Sequence, residues 1–159
     1  MINNVTRLLD AKKVPYQVFE LPVEKLGAKE TATLLNLPVE QIYKTIVVAR
    51  PKPGKPLLAV VPGDRQVDLK ALAQVVNEKK LFLSSEKEAE LLTGLLAGGI
   101  SPLALINKGF QVVIDNQAEK FTEIHISGGA RGLNIRLPVS SLVQLTHARL
   151  AAISSLMQE

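Results

Sequence analysis

The chain has 159 residues, 47% of them apolar and 21% charged, a balance that fits a soluble globular protein large enough to bury a core of its own. Cysteine is absent, which excludes disulfides, a cysteine nucleophile and thiolate metal sites and is compatible with a reducing cytoplasm, and the two histidines, His125 and His147, offer little for a histidine metal cage. A net charge of +4 tolerates a polyanionic partner without demanding one, no apolar run is long enough to span a membrane, and the N-terminus lacks the pattern of a signal peptide.

Asn3 or Asn4 is placed to cap a first helix, with Val5, Leu8 and Leu9 on one face and Pro15 beyond its end. Tyr16 to Phe19 alternates like a strand. Lys29 to Asn36 reads as a short helix stopped by Pro38. Ile42 to Ala49 and Leu57 to Val61 are β-prone runs on either side of the turn sequence Pro51–Pro56, which predicts an antiparallel hairpin. Asp68 caps a helix from Leu69 to about Asn77, and Leu81 to Leu83 is a short strand. Ser84 or Ser85 caps the next helix, with Glu86 and Glu88 at its positive end.

Phe110 to Asp115 and Thr122 to Ser127 read as strands, and Gly128–Gly132 is a hairpin turn into Leu133–Leu137. Pro138 stands at the first position of a helix containing Leu142, Val143 and Leu145, and a last helix is expected from about Ala148 to Met157. No repeat, linker or low-complexity segment divides the chain, so one domain over residues 1–159 is expected. The mixture of hairpins and helices predicts an α+β domain built on a mixed or mostly antiparallel sheet.

Three places can carry chemistry. The stretch Thr93–Pro102 ends a helix and runs through Gly98-Gly99-Ile100-Ser101-Pro102, a loop without side-chain bulk whose free amides suit a carbonyl oxygen or a phosphate. An ordinary tight turn fits the same glycines. Lys44 interrupts an apolar strand, so it faces either solvent or a cleft. Ser127 precedes a second glycine turn, where its hydroxyl stands at a strand end. His125 shares a face with Glu123 and Ser127 by strand alternation and reads as structural or surface, as does His147. The pairs Lys12-Lys13 and Lys79-Lys80, with Lys52 and Lys55, read as solubilising charge.

Tyr43-Lys44-Thr45-Ile46-Val47-Val48, Asp68-Leu69-Lys70, Gly98-Gly99-Ile100-Ser101-Pro102 and Ser127-Gly128-Gly129-Ala130-Arg131-Gly132-Leu133 occur in that order along the chain. Together they resemble the YbaK/EbsC family of aminoacyl-tRNA deacylases, relatives of the editing domain inserted in bacterial prolyl-tRNA synthetases. The resemblance covers nearly the whole chain. It implies a single α+β domain with a curved, barrel-like mixed sheet surrounded by helices, and hydrolysis in trans of the ester of mischarged tRNA, typically cysteine on proline tRNA. It implies Lys44, Gly98 and Gly99 as the catalytic set. Thr45, Ile100, Ser101, Pro102, Ser127, Gly128 and Asn134 would line the substrate site. It also implies the acceptor end of tRNA as partner, prolyl-tRNA synthetase as a second one, a cytoplasmic setting and no cofactor, metal or membrane. The sequence departs from the family pattern at Asn134, where an acidic residue is usual, and in the connection Phe19–Ala28, which bears on amino-acid preference.

The expected chemistry follows from what the chain lacks. An ester needs little activation, and no Ser-His-Asp arrangement is evident, so the nucleophile is expected from the substrate: the thiol of the cysteinyl group attacks its own ester carbonyl, a lyase-like step if it cyclises. Gly98 and Gly99 amides would hold the oxyanion, and Lys44 would position the terminal nucleotide. Water or a ribose hydroxyl serving a substrate such as alanine is the alternative nucleophile, and a tRNA- or synthetase-binding module without catalysis is the alternative function.

Overall fold

In the computed structural model, which describes residues 2–51 and 54–157, the chain opens on helix α1 (Asn4–Ala11). Asn3 Oδ1 accepts the Thr6 N–H at 2.9 Å and Thr6 Oγ1 accepts the Asn3 N–H at 2.8 Å, a reciprocal cap at the helix start. Val5 and Leu9, one turn apart, form its buried face. Asn3 Nδ2 also donates to the Gly128 carbonyl at 2.8 Å, which ties the first helix to the distant glycine turn.

Strand β1 (Gln17–Glu20), helix α2 (Ala28–Leu35) and a 3-10 turn at Val39–Gln41 lead to β2 (Tyr43–Ala49). β2 and β3 (Leu57–Pro62) form the expected antiparallel hairpin, with Lys44 opposite Val61 and Val48 opposite Leu57. Of its expected turn, Lys52 and Pro53 lie outside the described residues. β3 is buried along its whole length because both of its faces are covered. Leu58 and Val60 enter one core with Val47, Ile114 and Ile126, and Leu57, Ala59 and Val61 enter another with Leu72, Ala73 and Ile153. A strand covered on both faces needs no polar alternation, hence its continuous apolar sequence.

β4 (Arg65–Val67), α3 (Leu69–Val75), β5 (Phe82–Leu83) and α4 (Glu86–Thr93) follow. Asp68 and Ser85 are the caps: Asp68 Oδ1 accepts the Ala71 N–H at 3.0 Å and Ser85 Oγ the Glu88 N–H at 3.1 Å. β6 (Gln111–Asp115), the hairpin of β7 (Glu123–Ser127) and β8 (Leu133–Pro138), and α5 (Val139–Thr146) complete the expected set. Pro138 ends β8 instead of opening α5; its extended backbone makes it the residue before the first helical turn.

The C-terminal segment departs from expectation. Residues 148–157 are not helical but form β9 (Arg149–Ala151) and β10 (Ser154–Leu156). Leu150, Ile153 and Leu156 recur at helical spacing, but the open edge of β6 takes β9 as a parallel strand, and β10 pairs with β4, which the sequence reading did not include. Asp115, 1% exposed, secures the bend by accepting the Ile153 N–H at 3.0 Å on Oδ1 and the Gln117 N–H at 3.1 Å on Oδ2. A buried carboxylate must be hydrogen-bonded, and an extended chain supplies the donor that a helix interior would keep for itself.

The larger sheet runs β5-β2-β3-β6-β9, antiparallel on one side of β3 and parallel on the other. β1-β8-β7 form a second, antiparallel sheet, and β4-β10 a third pair. The α+β class and mixed sheet are as expected, but the strands do not close into a barrel: among the described residues one parallel bridge, from Ile42 just before β2 to His125 of β7, links the two larger sheets.

Candidate active site

That single bridge creates the site. Gly63 N–H donates to the Ile42 carbonyl at 2.8 Å, which sets the phase of the β2–β3 ladder: Lys44, Ile46 and Val48 turn their peptide groups toward β3, and Tyr43, Thr45 and Val47 turn theirs to the opposite edge. On that edge β5 pairs with Val48 and Ala49, and Ser84 N–H donates to the Val47 carbonyl at 3.2 Å. Between there and the bridge, no strand among the described residues pairs with this edge of β2 at Thr45. The gap is a cavity of about 380 Å³, within the range of small-ligand sites. Ser127, Leu133 and Asn134 of the β7–β8 hairpin form one wall, Ala97, Gly98 and Ile100 a second, and Leu21, Leu26 and Thr31 a third.

Six of the residues singled out from sequence line this cavity together: Lys44, Thr45, Gly98, Ile100, Ser127 and Asn134. Lys44 and Thr45 flank the open edge from the two faces of β2, because neighbouring strand residues point opposite ways. The half-buried Lys44 ammonium donates to Met157 Sδ at 3.9 Å. Burial pulls its pKa below the ordinary lysine value; Asp64 works against that pull and the positive charge of Lys29 adds to it.

Gly99, Ser101, Pro102 and Gly128 are not in the lining. Ser101 is fully buried and its Oγ accepts the Leu103 N–H at 3.2 Å, which starts a 3-10 turn at Pro102–Leu105. Gly128 closes the β7–β8 turn, its N–H donating to the Leu133 carbonyl at 2.8 Å, and a Cβ there would lie 2.6 Å from Leu133 Cγ. Gly99 N–H donates to the Leu96 carbonyl at 2.8 Å, so of the two glycine amides expected to hold an oxyanion, this one is already engaged. Gly98, at φ 88°, is the member of the pair that reaches the cavity, and its N–H meets no acceptor among the described residues.

The glycine loop rests on the glycine turn. A Cβ on Gly99 would lie 3.0 Å from Ala130 C and Cα and from Arg131 N, so the two backbones touch there. Arg131 Nε donates to the Ala97 carbonyl at 2.7 Å, Ala97 N–H donates to Glu90 Oε2 at 2.7 Å, and Ser127 Oγ reaches the Gly98 carbonyl at 3.4 Å.

Behind Asn134 stands His125, fully buried, with Nδ1 2.8 Å from Asn134 Oδ1 and its ring centroid 5.3 Å from that of Phe19. Burial lowers its pKa below the usual histidine value, the Asn134 bond and Glu123 opposing and Arg136 assisting. The structural reading of His125 holds, and its partner comes from hairpin register: His125 faces Arg136, so Asn134 is its diagonal neighbour. Ser127 Oγ is 3.3 Å from the Gly129 N–H and has no hydrogen bond to a histidine, so it is not an activated nucleophile. What the cavity offers is a mostly apolar lining, a glycine whose N–H has no acceptor among the described residues, a half-buried ammonium, an oriented carboxamide and, from Glu24 and the Lys25-paired Glu86, two carboxylates.

Of the third wall, the sequence pointed only to the connection Phe19–Ala28 as bearing on amino-acid preference, without singling out Leu21, Leu26 or Thr31. Leu21, Leu26 and Thr31 come from an irregular connection and the start of α2, where no periodicity marks a role. Arg131 and Glu90 went unnoticed as well, although Arg131 sits inside the quoted glycine motif and Glu90 lies on α4, which leads into the loop.

The profile of the aminoacyl-tRNA editing domain family matches residues 24–145. A candidate Cys-tRNA(Pro)/Cys-tRNA(Cys) deacylase of Enterococcus faecalis, EbsC, is 33% identical over 96% of this chain and 93% of that protein. A proline–tRNA ligase of Thermodesulfovibrio yellowstonii is 31% identical over 72% of this chain, a stretch that makes up 19% of the ligase. The crystal structure of a candidate trans-editing enzyme for prolyl-tRNA synthetase superposes with a TM-score of 0.79, at 26% identity, over 98% of this chain and 99% of that one. Family profile, sequence and fold agree over most of the chain, which belongs to the aminoacyl-tRNA editing domain family.

Proposed function

We propose that this chain is a trans-editing deacylase that hydrolyses the ester of mischarged tRNA, with cysteinyl-tRNA(Pro) as its substrate. The observation that carries the reading is the cavity: small, largely apolar, and lined by Gly98, whose N–H is unpaired, and a half-buried Lys44, with no lining hydroxyl hydrogen-bonded to a histidine or carboxylate among the described residues. Such a site binds and orients, so the reacting group comes from the substrate. The cysteinyl sulfur attacks the ester carbonyl carbon, the bond to the ribose oxygen breaks, and that oxygen takes up the proton the thiol gives. The cyclic thioester so formed opens with water to cysteine.

A thiol of pKa about 8.5 is only a few per cent ionised near neutral pH, yet well-oriented intramolecular attack reaches effective molarities of about 10⁵ M or more. The Gly98 N–H holds the developing oxyanion, a contribution of about 10²-fold per donor. The Lys44 ammonium holds the terminal phosphate or ribose, the role its place at the cavity edge suits best. The partner is the acceptor end of tRNA in the cytoplasm, and prolyl-tRNA synthetase supplies the mischarged substrate.

Single-turnover deacylation of Cys-tRNA(Pro), Cys-tRNA(Cys), Ala-tRNA(Pro) and Ser-tRNA at one protein concentration tests the proposal. Release of cysteine from tRNA(Pro) well above the uncatalysed rate is expected. Binding of these tRNAs without release of any amino acid would make the chain a binding module and refute the reading.

A further inference from the structure

We propose that Arg131 and Glu90 are positioning residues that aim the Gly98 N–H into the cavity by clamping the two peptide planes on either side of Ala97; this rests on the deacylase reading above. Gly98 is tied to Ala97 by a planar peptide, and the described chain contains no cis bond, so the Ala97 carbonyl and the Gly98 N–H point in opposite directions. Arg131 Nε holds that carbonyl at 2.7 Å. Fixing the carbonyl on Arg131, which is outside the cavity, turns the Gly98 N–H to the other side, where Gly98 lines the cavity.

The preceding plane is held as well. Ala97 N–H donates to Glu90 Oε2 at 2.7 Å, and the same oxygen lies 3.9 Å from Arg131 Nη2. One carboxylate and one guanidinium therefore grip Ala97 from both sides, each by a charge-assisted bond, while they neutralise each other. Both come from regular or tightly packed surroundings, Glu90 from α4 and Arg131 from the turn against which Gly99 rests.

The clamp has an electronic consequence too. A cationic donor on the carbonyl polarises the peptide and makes its N–H a stronger donor. Gly98, left-handed and without a side chain, has no contact of its own on the N–H side among the described residues, so the Ala97–Gly98 peptide plane is oriented through its carbonyl end. Neither Arg131 nor Glu90 touches the reacting atoms in this arrangement.

The test compares Arg131→Ala, Arg131→Lys and Glu90→Gln with the unmodified protein in single-turnover deacylation of Cys-tRNA(Pro), with circular dichroism and thermal melting as folding controls. A misaimed donor lowers the maximal rate by about 10²-fold while the half-saturating protein concentration stays within about threefold. Arg131→Lys, which can still donate to the Ala97 carbonyl, recovers part of the loss, as does millimolar guanidinium added to Arg131→Ala. Glu90→Gln falls between. A maximal rate equal to the unmodified protein's, or a loss confined to half-saturation, overturns the proposal. Amide NMR without any tRNA keeps the two readings apart. Arg131→Ala is expected to shift the Gly98 N–H resonance and speed Ala97 exchange even if no deacylation is found, and unchanged Ala97 and Gly98 amides would overturn the clamp even in an active deacylase.

Discussion

Gly99→Ala probes how closely the glycine loop depends on the turn beneath it. Gly99 has an ordinary backbone conformation, so an alanine brings no strain of its own; the obstacle is the Ala130–Arg131 backbone, 3.0 Å from the new Cβ where ordinary contact begins at 3.4 Å. Backbone cannot swing aside as a side chain can, so the loop must lift by about 0.4 Å. Overpacking of this kind costs about 1–3 kcal/mol. For a chain of this size each kcal/mol lowers Tm by about 2–4 °C, so a fall of about 2–12 °C is expected. If 1 Å of misplacement costs about 10²-fold in rate, 0.4 Å costs about sixfold. The control is Gly94→Ala: at φ 74° with nothing within 4 Å, it pays about 1–2 kcal/mol in backbone strain and leaves the loop in place. Single-turnover deacylation and melting are measured for both. A Gly99→Ala protein with unchanged Tm and rate, or an equal rate loss in Gly94→Ala, would show that the backbone contact does not set the position of Gly98.

Lys44→Ala is expected to keep its circular dichroism, lose about 10²-fold or more in deacylation, and reduce the log–log salt slope of tRNA binding by about 0.7, the value for one single-strand phosphate contact; a near wild-type rate would remove Lys44 from the mechanism. Seryl-tRNA, which presents oxygen in place of sulfur, should bind almost as well as cysteinyl-tRNA on the same tRNA body and react far more slowly, and equal single-turnover rates would assign the attack to water or a ribose hydroxyl. His125 titrates below its unfolded value of 6.5, so the unfolded chain takes up its proton first as pH falls. Its contribution to stability is therefore complete above that pH and is lost progressively below it; melting temperatures should fall from roughly pH 7 to 5, and His125→Gln should flatten that part of the slope.

Local chemistry was legible in the sequence. Asn3, Asp68 and Ser85 cap helices where their side chains suggested, because a cap is a contact among residues three apart. The β2–β3 and β7–β8 hairpins follow from short-range patterning, and Lys44, Thr45, Gly98, Ile100, Ser127 and Asn134 do share one cavity. The tertiary structure decided what depends on partners far along the chain. The helical spacing of Leu150, Ile153 and Leu156 yielded to the open edge of β6 and the buried Asp115 carboxylate, since an unpaired strand edge and a buried charge each demand donors that periodicity does not register. Which glycine amide is free was settled by the Leu96 carbonyl, which takes the Gly99 N–H. The cavity opens where His125 of β7 bridges Ile42, just before β2, and the outer edge of β2 at Thr45 is left without a ladder partner among the described residues, beside Ser127 and Asn134. Side-chain types can be read one residue at a time, but the direction of a peptide group is set by whatever packs on its other side, and for Gly98 that is Arg131, 33 positions away in sequence.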